Sequence, residues 1–149
     1  MFHIIYVIAI MFILPFMFTI IGIKKNKNTG EIFCKWFVFW TIGVRAATTG
    51  LMQFINPAYT QKLLQVTVSD SIITQELGYA QFAIGVLGLL SLKYINYRKP
   101  AALSYGVFMV GATILHLNRM LALNLGEAVS LIGDILVVFI AIYCLKRQV

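Results

Sequence analysis

Arg45 stands in the stretch WTIGVRAATTG, Trp40 to Gly50, inside an otherwise apolar run. A guanidinium never loses its charge in a protein, so it needs an anion or several acceptors wherever water is scarce. Three further residues have the chemistry to meet it or to work beside it: Glu76, His116 and Asp134. Together they would hold a small polar or anionic group on Arg45, with the carboxylates and the imidazole able to pass a proton. On its helix Arg45 shares a face with Thr41, Thr48, Thr49 and Met52, and Asp134 continues a stripe with Glu127 and Ser130. The same residues also fit a plainer role, an Arg45–Asp134 pair that fixes helix register with no ligand. His3 and His116 lack the supporting spacing of an axial haem pair. The sequence has no nucleotide-binding loop, no HExxH and no nucleophile–base pair, and no metal is expected.

The elements that must position these groups follow from composition. Of 149 residues, 60% are hydrophobic and 11% charged, and the mean hydropathy is +0.89. Soluble domains carry about a quarter charged residues, so the expected solvent is a lipid bilayer. The expected fold is an all-α, polytopic membrane bundle forming a single domain. Five apolar stretches approach the ~20 residues that cross a bilayer: roughly Phe2–Ile23, Trp36–Ile55, Leu77–Ile95, Ala101–Leu123 and Ala128–Leu145. The first lacks a basic leader and a small-residue cleavage site, and is read as a retained span.

The net charge of +7 would suggest acidic partners in a soluble chain, but here it sets orientation. With five crossings, Lys24, Lys25, Lys27, Lys35, Lys93, Arg98, Lys99, Lys146 and Arg147 fall on one side, and only Lys62 and Arg119 on the other. The expectation is an external N-terminus, a cytoplasmic C-terminus and no nucleic-acid partner. Asn, Ile and Lys usage suggests the cytoplasmic membrane of a prokaryote. Cys34 and Cys144 then face the reducing side, with no CxxC, which argues against a structural disulfide or zinc.

Depth assigns the polar residues to one half of the membrane. Asp134 comes roughly two turns below the outer surface. Glu76, His116, with Thr113 one turn below it, and His3 lie near outer helix ends, and Arg45 at the midpoint. The expected site is an outward-open polar pocket with Arg45 as its floor and Glu76 and His116 at its mouth. Tyr79 and Tyr105 are candidate hydroxyls. Small residues should carry the packing: Gly43, Ala46, Ala47 and Gly50; Gly78, Gly85 and Gly88; Ser104 and Gly111; Gly126 and Ser130. Pro15 removes one hydrogen bond from the first span. In the external connector 56–75, Asn56-Pro57 reads as a helix start, with Leu63, Leu64 and Val66 on a short surface helix.

The segment TQELGYAQFAIGVLGLLSL, Thr74 to Leu92, resembles an uncharacterised prokaryotic family of small multi-span membrane proteins. The matching positions are Glu76, Gly78, Tyr79, Ala80, Gly85 and Gly88, while Gln81 replaces the family's asparagine. In SYGVFMVGATILH, His116 matches and Leu115 replaces a glycine; IGDILVVF carries Asp134. The helix containing Glu76 is also loosely similar to DoxX-like four-helix membrane proteins. The resemblance implies architecture and the positions Glu76, His116 and Asp134, but no activity. Three functional readings stay open: binding or transport of a small polar ligand; an accessory or scaffold subunit, or homo-oligomer, packed through its glycine faces; and an intramembrane enzyme directed at a quinone or lipid.

Overall fold

A computed structural model describes residues 5, 6, 8–23, 28–63, 71–118 and 125–147. Among these residues there is no β-strand. Helix α1 has a π-helical turn, Ala9–Ile13, leading into an α-helical segment, Leu14–Ile23. Helix α2 joins an α-helical segment, Thr29–Phe37, to a π-helical one, Val38–Val44, and then to α-helical Arg45–Ile55. The remaining helices are α3, Pro57–Leu63; α4, Ser71–Leu90; α5, Arg98–Asn118, entered through a 3-10 turn, Ile95–Tyr97; and α6, Leu125–Lys146.

Local sequence explains the helix ends. Asn28 accepts from the Glu31 N–H through Oδ1 at 3.4 Å, while its Nδ2 donates to Glu31 Oε2 at 3.3 Å. This reciprocal cap starts α2 and puts an acid at its positive end. Asn56 Oδ1 accepts from Tyr59 N–H at 3.1 Å, and Pro57 occupies the first helical position of α3. Leu64 and Val66, the continuation expected for that surface helix, lie outside the described residues. Ser91 Oγ donates to Gly88 O at 2.5 Å as α4 ends.

The π-helical turn of α1 follows from Pro15. Proline has no N–H, so the Met11 carbonyl four residues earlier loses its ordinary partner. The Leu14 N–H bonds back to Ala9 O, the wider π connection. Thr41, fully buried in the π-helical segment of α2, donates its hydroxyl to Met11 O at 3.3 Å. The hydrogen bond that Pro15 removes is therefore replaced from another helix. Thr19 Oγ1 donates to Pro15 O at 2.6 Å, one turn on.

α2 and α4 run antiparallel with backbone against backbone. A Cβ on Gly43 would lie 2.7 Å from the Gly88 carbonyl carbon, and one on Gly50 would lie 2.6 Å from Gly78 O. A Cβ on Gly78 would lie 2.8 Å from Gln53 Cβ, and one on Gly85 would overlap the Ala47 backbone. Only hydrogen fits at these positions, as the small-residue faces of the second and third apolar stretches predict. The fourth stretch differs. Gly111 is exposed with nothing near the place a Cβ would occupy, so the expected Ser104–Gly111 packing face does not close on another helix at Gly111.

On the other side of α2, Phe37, Val38, Ile42 and Ala46 pack with Met11 of α1, with Ala101, Ala102, Tyr105 and Met109 of α5, and with Val137 of α6. Cys34 and Cys144 belong to the same core, and both are free and buried. Outward-facing positions are strongly apolar: Ile13, Ile20, Ile73, Val107, Leu115, Ile132 and Phe139 are all more than half exposed. In water such a surface would drive aggregation. Three helical stretches, Ser71–Leu90, Ile95–Asn118 and Ala128–Lys146, are long and apolar enough to cross a membrane, and Ala9–Ile23 is a shorter apolar helix. α2 is interrupted in its most apolar part by the π-helical turns.

Candidate functional site

Arg45 is the first residue after the π-helical segment of α2, and its side chain is 12% accessible. Its Nη2 donates to Asp134 Oδ1 on α6 at 3.2 Å, and the aspartate side chain is 5% accessible. The pair has a single point of contact, not the two-pronged geometry that a guanidinium and a carboxylate can adopt. The other carboxylate oxygen, Oδ2, faces His116 Nε2 on α5 at 3.9 Å, outside hydrogen-bond range but within ion-pair range for a protonated imidazole. Three helices thus bring Arg45, Asp134 and His116 together. The two charges stand 89 positions apart in the sequence, and both are buried where they meet. Neither would be stable there alone.

The rest of the site is built from hydroxyls and one amide. Thr48 Oγ1 donates to Val44 O at 2.7 Å and approaches Arg45 O at 3.1 Å. Its one hydrogen is thereby used, so the close contact with the Tyr6 hydroxyl needs Tyr6 as donor. Tyr105 is fully buried, and its hydroxyl lies near enough to act electrostatically on both Arg45 and Asp134. Gln81, 5% exposed, approaches Tyr105 from α4, but no bond of hydrogen-bond geometry closes between Gln81 Oε1 and the phenol.

Four buried polar atoms here have no hydrogen-bond partner: Arg45 Nη1, Tyr105 OH, Gln81 Oε1 and Thr113 Oγ1. Thr113 lies on α5 one turn from His116. Helical spacing puts it on the face of Tyr105 and Met109. Buried polar groups are ordinarily satisfied, so four in one neighbourhood set it apart from the apolar core. Three of the four are hydrogen-bond donors or hydroxyls. Such a set suits an acceptor-rich guest, such as a carboxylate or another small oxyanion.

The other residues singled out from sequence sit elsewhere. Glu76 is exposed on the first turns of α4, and among the described residues no contact links it to Arg45, His116 or Asp134. Tyr79 is 61% exposed and stacks on Phe54, with ring centroids 4.7 Å apart, so it does not turn its hydroxyl to Arg45. The reason is rotational. Gly78 and Gln81 occupy the face of α4 that meets α2, which turns Tyr79 and Glu76 outward. His3 lies outside the described residues. Two contributors escaped the sequence reading, Tyr6 and Gln81. Gln81 was detectable: it is the polar member of the glycine face, three residues after Gly78 and four before Gly85. Tyr6 gave no signal within its apolar run. Among the described residues no group of three or more His, Cys, Asp and Glu is placed to hold a metal.

A family model, DUF6790, described as a family of unknown function, matches residues 3–149. The chain belongs to that family. No curated protein and no solved structure matches it. For this DUF6790 chain, function must therefore be argued from the site itself.

Proposed function

We propose that the chain is a five-span protein of a prokaryotic cytoplasmic membrane that binds, or helps to move, a small polar or anionic ligand at Arg45. The observation that carries this is the unequal use of the guanidinium. Arg45 Nη2 is committed to Asp134, while Nη1 is buried and unbonded, with the Tyr105 hydroxyl in electrostatic reach and likewise unbonded. A pair serving only to hold helices together gains most by using both edges of the guanidinium. Here one edge is left for an acceptor. Asp134 balances the resident charge, and His116 beside it supplies a group able to take up or release a proton with the guest.

Five spans are supported by the three long apolar helices, by the shorter apolar Ala9–Ile23, and by α2, whose three continuous segments together reach about 40 Å at 1.5 Å per residue. The basic residues support the C-terminus on the cytoplasmic side, since nine of the eleven besides Arg45 then share that side. Arg45 then lies near mid-depth, with Tyr6 and His116 towards the outer face. The loose likeness of the Glu76 helix to DoxX-like proteins agrees with a helical bundle and adds no activity.

The test uses the full chain in mild detergent. Native mass spectrometry looks for a retained small adduct, and thermal unfolding is followed with acetate, succinate and inorganic phosphate. The expected result is an adduct or an anion-dependent rise in melting temperature that disappears in Arg45→Met and weakens in Tyr105→Phe. Absence of both effects in the unaltered chain, or their survival in Arg45→Met, would sink the reading.

A further inference from the structure

At the end of the bundle remote from Tyr6 and His116, a groove of about 270 Å³ opens between the last turn of α1 and the first turns of α2. Gly22, Glu31, Ile32, Lys35, Trp36 and Arg98 line it. From sequence Arg98 reads as one more charge that sets orientation. The structure instead buries it: its side chain is 9% accessible. Its Nε donates to Ser91 O at 3.4 Å, which ties the start of α5 to the end of α4. Its Nη1 lies 3.8 Å from Glu31 Oε1, too far for a hydrogen bond, and has no hydrogen-bond partner. A buried guanidinium edge thus lines the groove unbonded, and Lys35 brings a second cation to it.

The charge balance favours an anion. Arg98 and Lys35 supply two positive charges, and Glu31, already bonded to Asn28, supplies one negative. One unit of positive charge is left over. The surroundings favour a lipid as its source. Trp36 lines the groove beneath the Lys35 ammonium, which sits 5.2 Å from its ring centroid. Ile21 and Ile23, 49% and 38% exposed, continue the apolar surface of α1 beside Gly22. A tryptophan, basic side chains and an adjoining apolar helix face form the usual setting of a phospholipid headgroup at a bilayer boundary.

We propose that this groove binds the phosphate diester of an anionic phospholipid, with Arg98 Nη1 and the Lys35 ammonium on its oxygens and the acyl chains along α1. The site rests on the membrane reading above but not on the Arg45 pocket, which lies near mid-depth. Glu31 helps to exclude a second anion and keeps the guanidinium oriented.

The test takes the delipidated full chain in mild detergent, with native mass spectrometry after adding phosphatidylglycerol or phosphatidylcholine of matched chains, each with and without excess inorganic phosphate. Phosphatidylglycerol should be retained in preference to phosphatidylcholine. Lys35→Gln, at the half-exposed edge of the groove, should lower that retention about fivefold, the weight of one basic residue at an anionic surface. Arg98→Gln should lower it further, while Arg45→Met leaves it unchanged; circular dichroism confirms that each variant is folded. Equal retention of the two lipids, or undiminished phosphatidylglycerol binding in folded Lys35→Gln, overturns the proposal. Displacement of the lipid by inorganic phosphate overturns the choice of a lipid. Loss of phosphatidylglycerol binding in Arg45→Met would overturn the separateness of the two sites.

Discussion

Arg45 and Asp134 are partners in one hydrogen bond, yet they are not equivalent. A carboxyl group stranded in an apolar setting can be held neutral by a proton, whereas a guanidinium cannot. Arg45→Met leaves Asp134 with His116 nearby, 3.9 Å from its other oxygen. Asp134→Asn leaves a buried cation with one amide oxygen for company. Breaking a buried pair from one side costs about 3–5 kcal/mol. Asp134→Asn should fall at the upper end of that range and Arg45→Met clearly below it. Chemical unfolding in mixed micelles measures both, and equal losses would show that the two charges are interchangeable. The pair itself was legible from sequence, because an arginine in the middle of an apolar stretch demands an acid and Asp134 stands inside another such stretch. The unbonded edge of Arg45 was not legible. It depends on the direction from which Asp134 approaches, which spacing does not specify.

At the scale of helices, the glycines divide into two populations that sequence alone cannot separate. Gly85 lies against the Ala47 backbone, whereas Gly111 faces open space. Gly85→Leu should separate α2 from α4 and cost about 3 kcal/mol or more, as overpacking a close contact does. Gly111→Leu should change stability by less than about 0.5 kcal/mol, as surface substitutions do. Melting temperatures of the two variants check this. A large loss in Gly111→Leu would show that this face packs against a second copy, the scaffold reading. Helical periodicity revealed that α2 and α4 carry small faces, and antiparallel neighbours made their pairing legible. The π-helical turns were not. Pro15 announced a lost hydrogen bond, but nothing in the sequence named Thr41 as its replacement, because the donor lies on a different helix.

For the whole molecule, the proposed orientation rests on charge more than on shape. Lys93, Arg98, Lys99, Lys146 and Arg147 cluster where α4, α5 and α6 reach one end of the bundle. A fluorescent protein that folds only in the cytoplasm should therefore light up when fused after Val149, and a periplasmic phosphatase fused there should stay inactive. The reverse pattern would invert the bundle and turn the Arg45 pocket inward. Aggregate hydropathy made the all-helical, membrane-suited character of the molecule legible. What neither hydropathy nor charge could convey is that one of these basic residues, Arg98, is also a buried anchor between α4 and α5.

The ion pair also has a dimension in time. Arg45 and Asp134 are separated by 89 positions along the chain. Ribosomal synthesis is directional, so in the proposed bilayer setting α2 is delivered long before the helix that neutralises it. A central arginine costs a newly inserted helix about 2.5–3.5 kcal/mol, and for that interval no permanent counter-charge is at hand. The nascent bundle is thus unfinished until its last helix arrives. A chain cut short within α6 would strand a charged, poorly anchored helix, the kind of exposed polar segment by which a membrane quality-control protease can distinguish a fragment from a completed molecule.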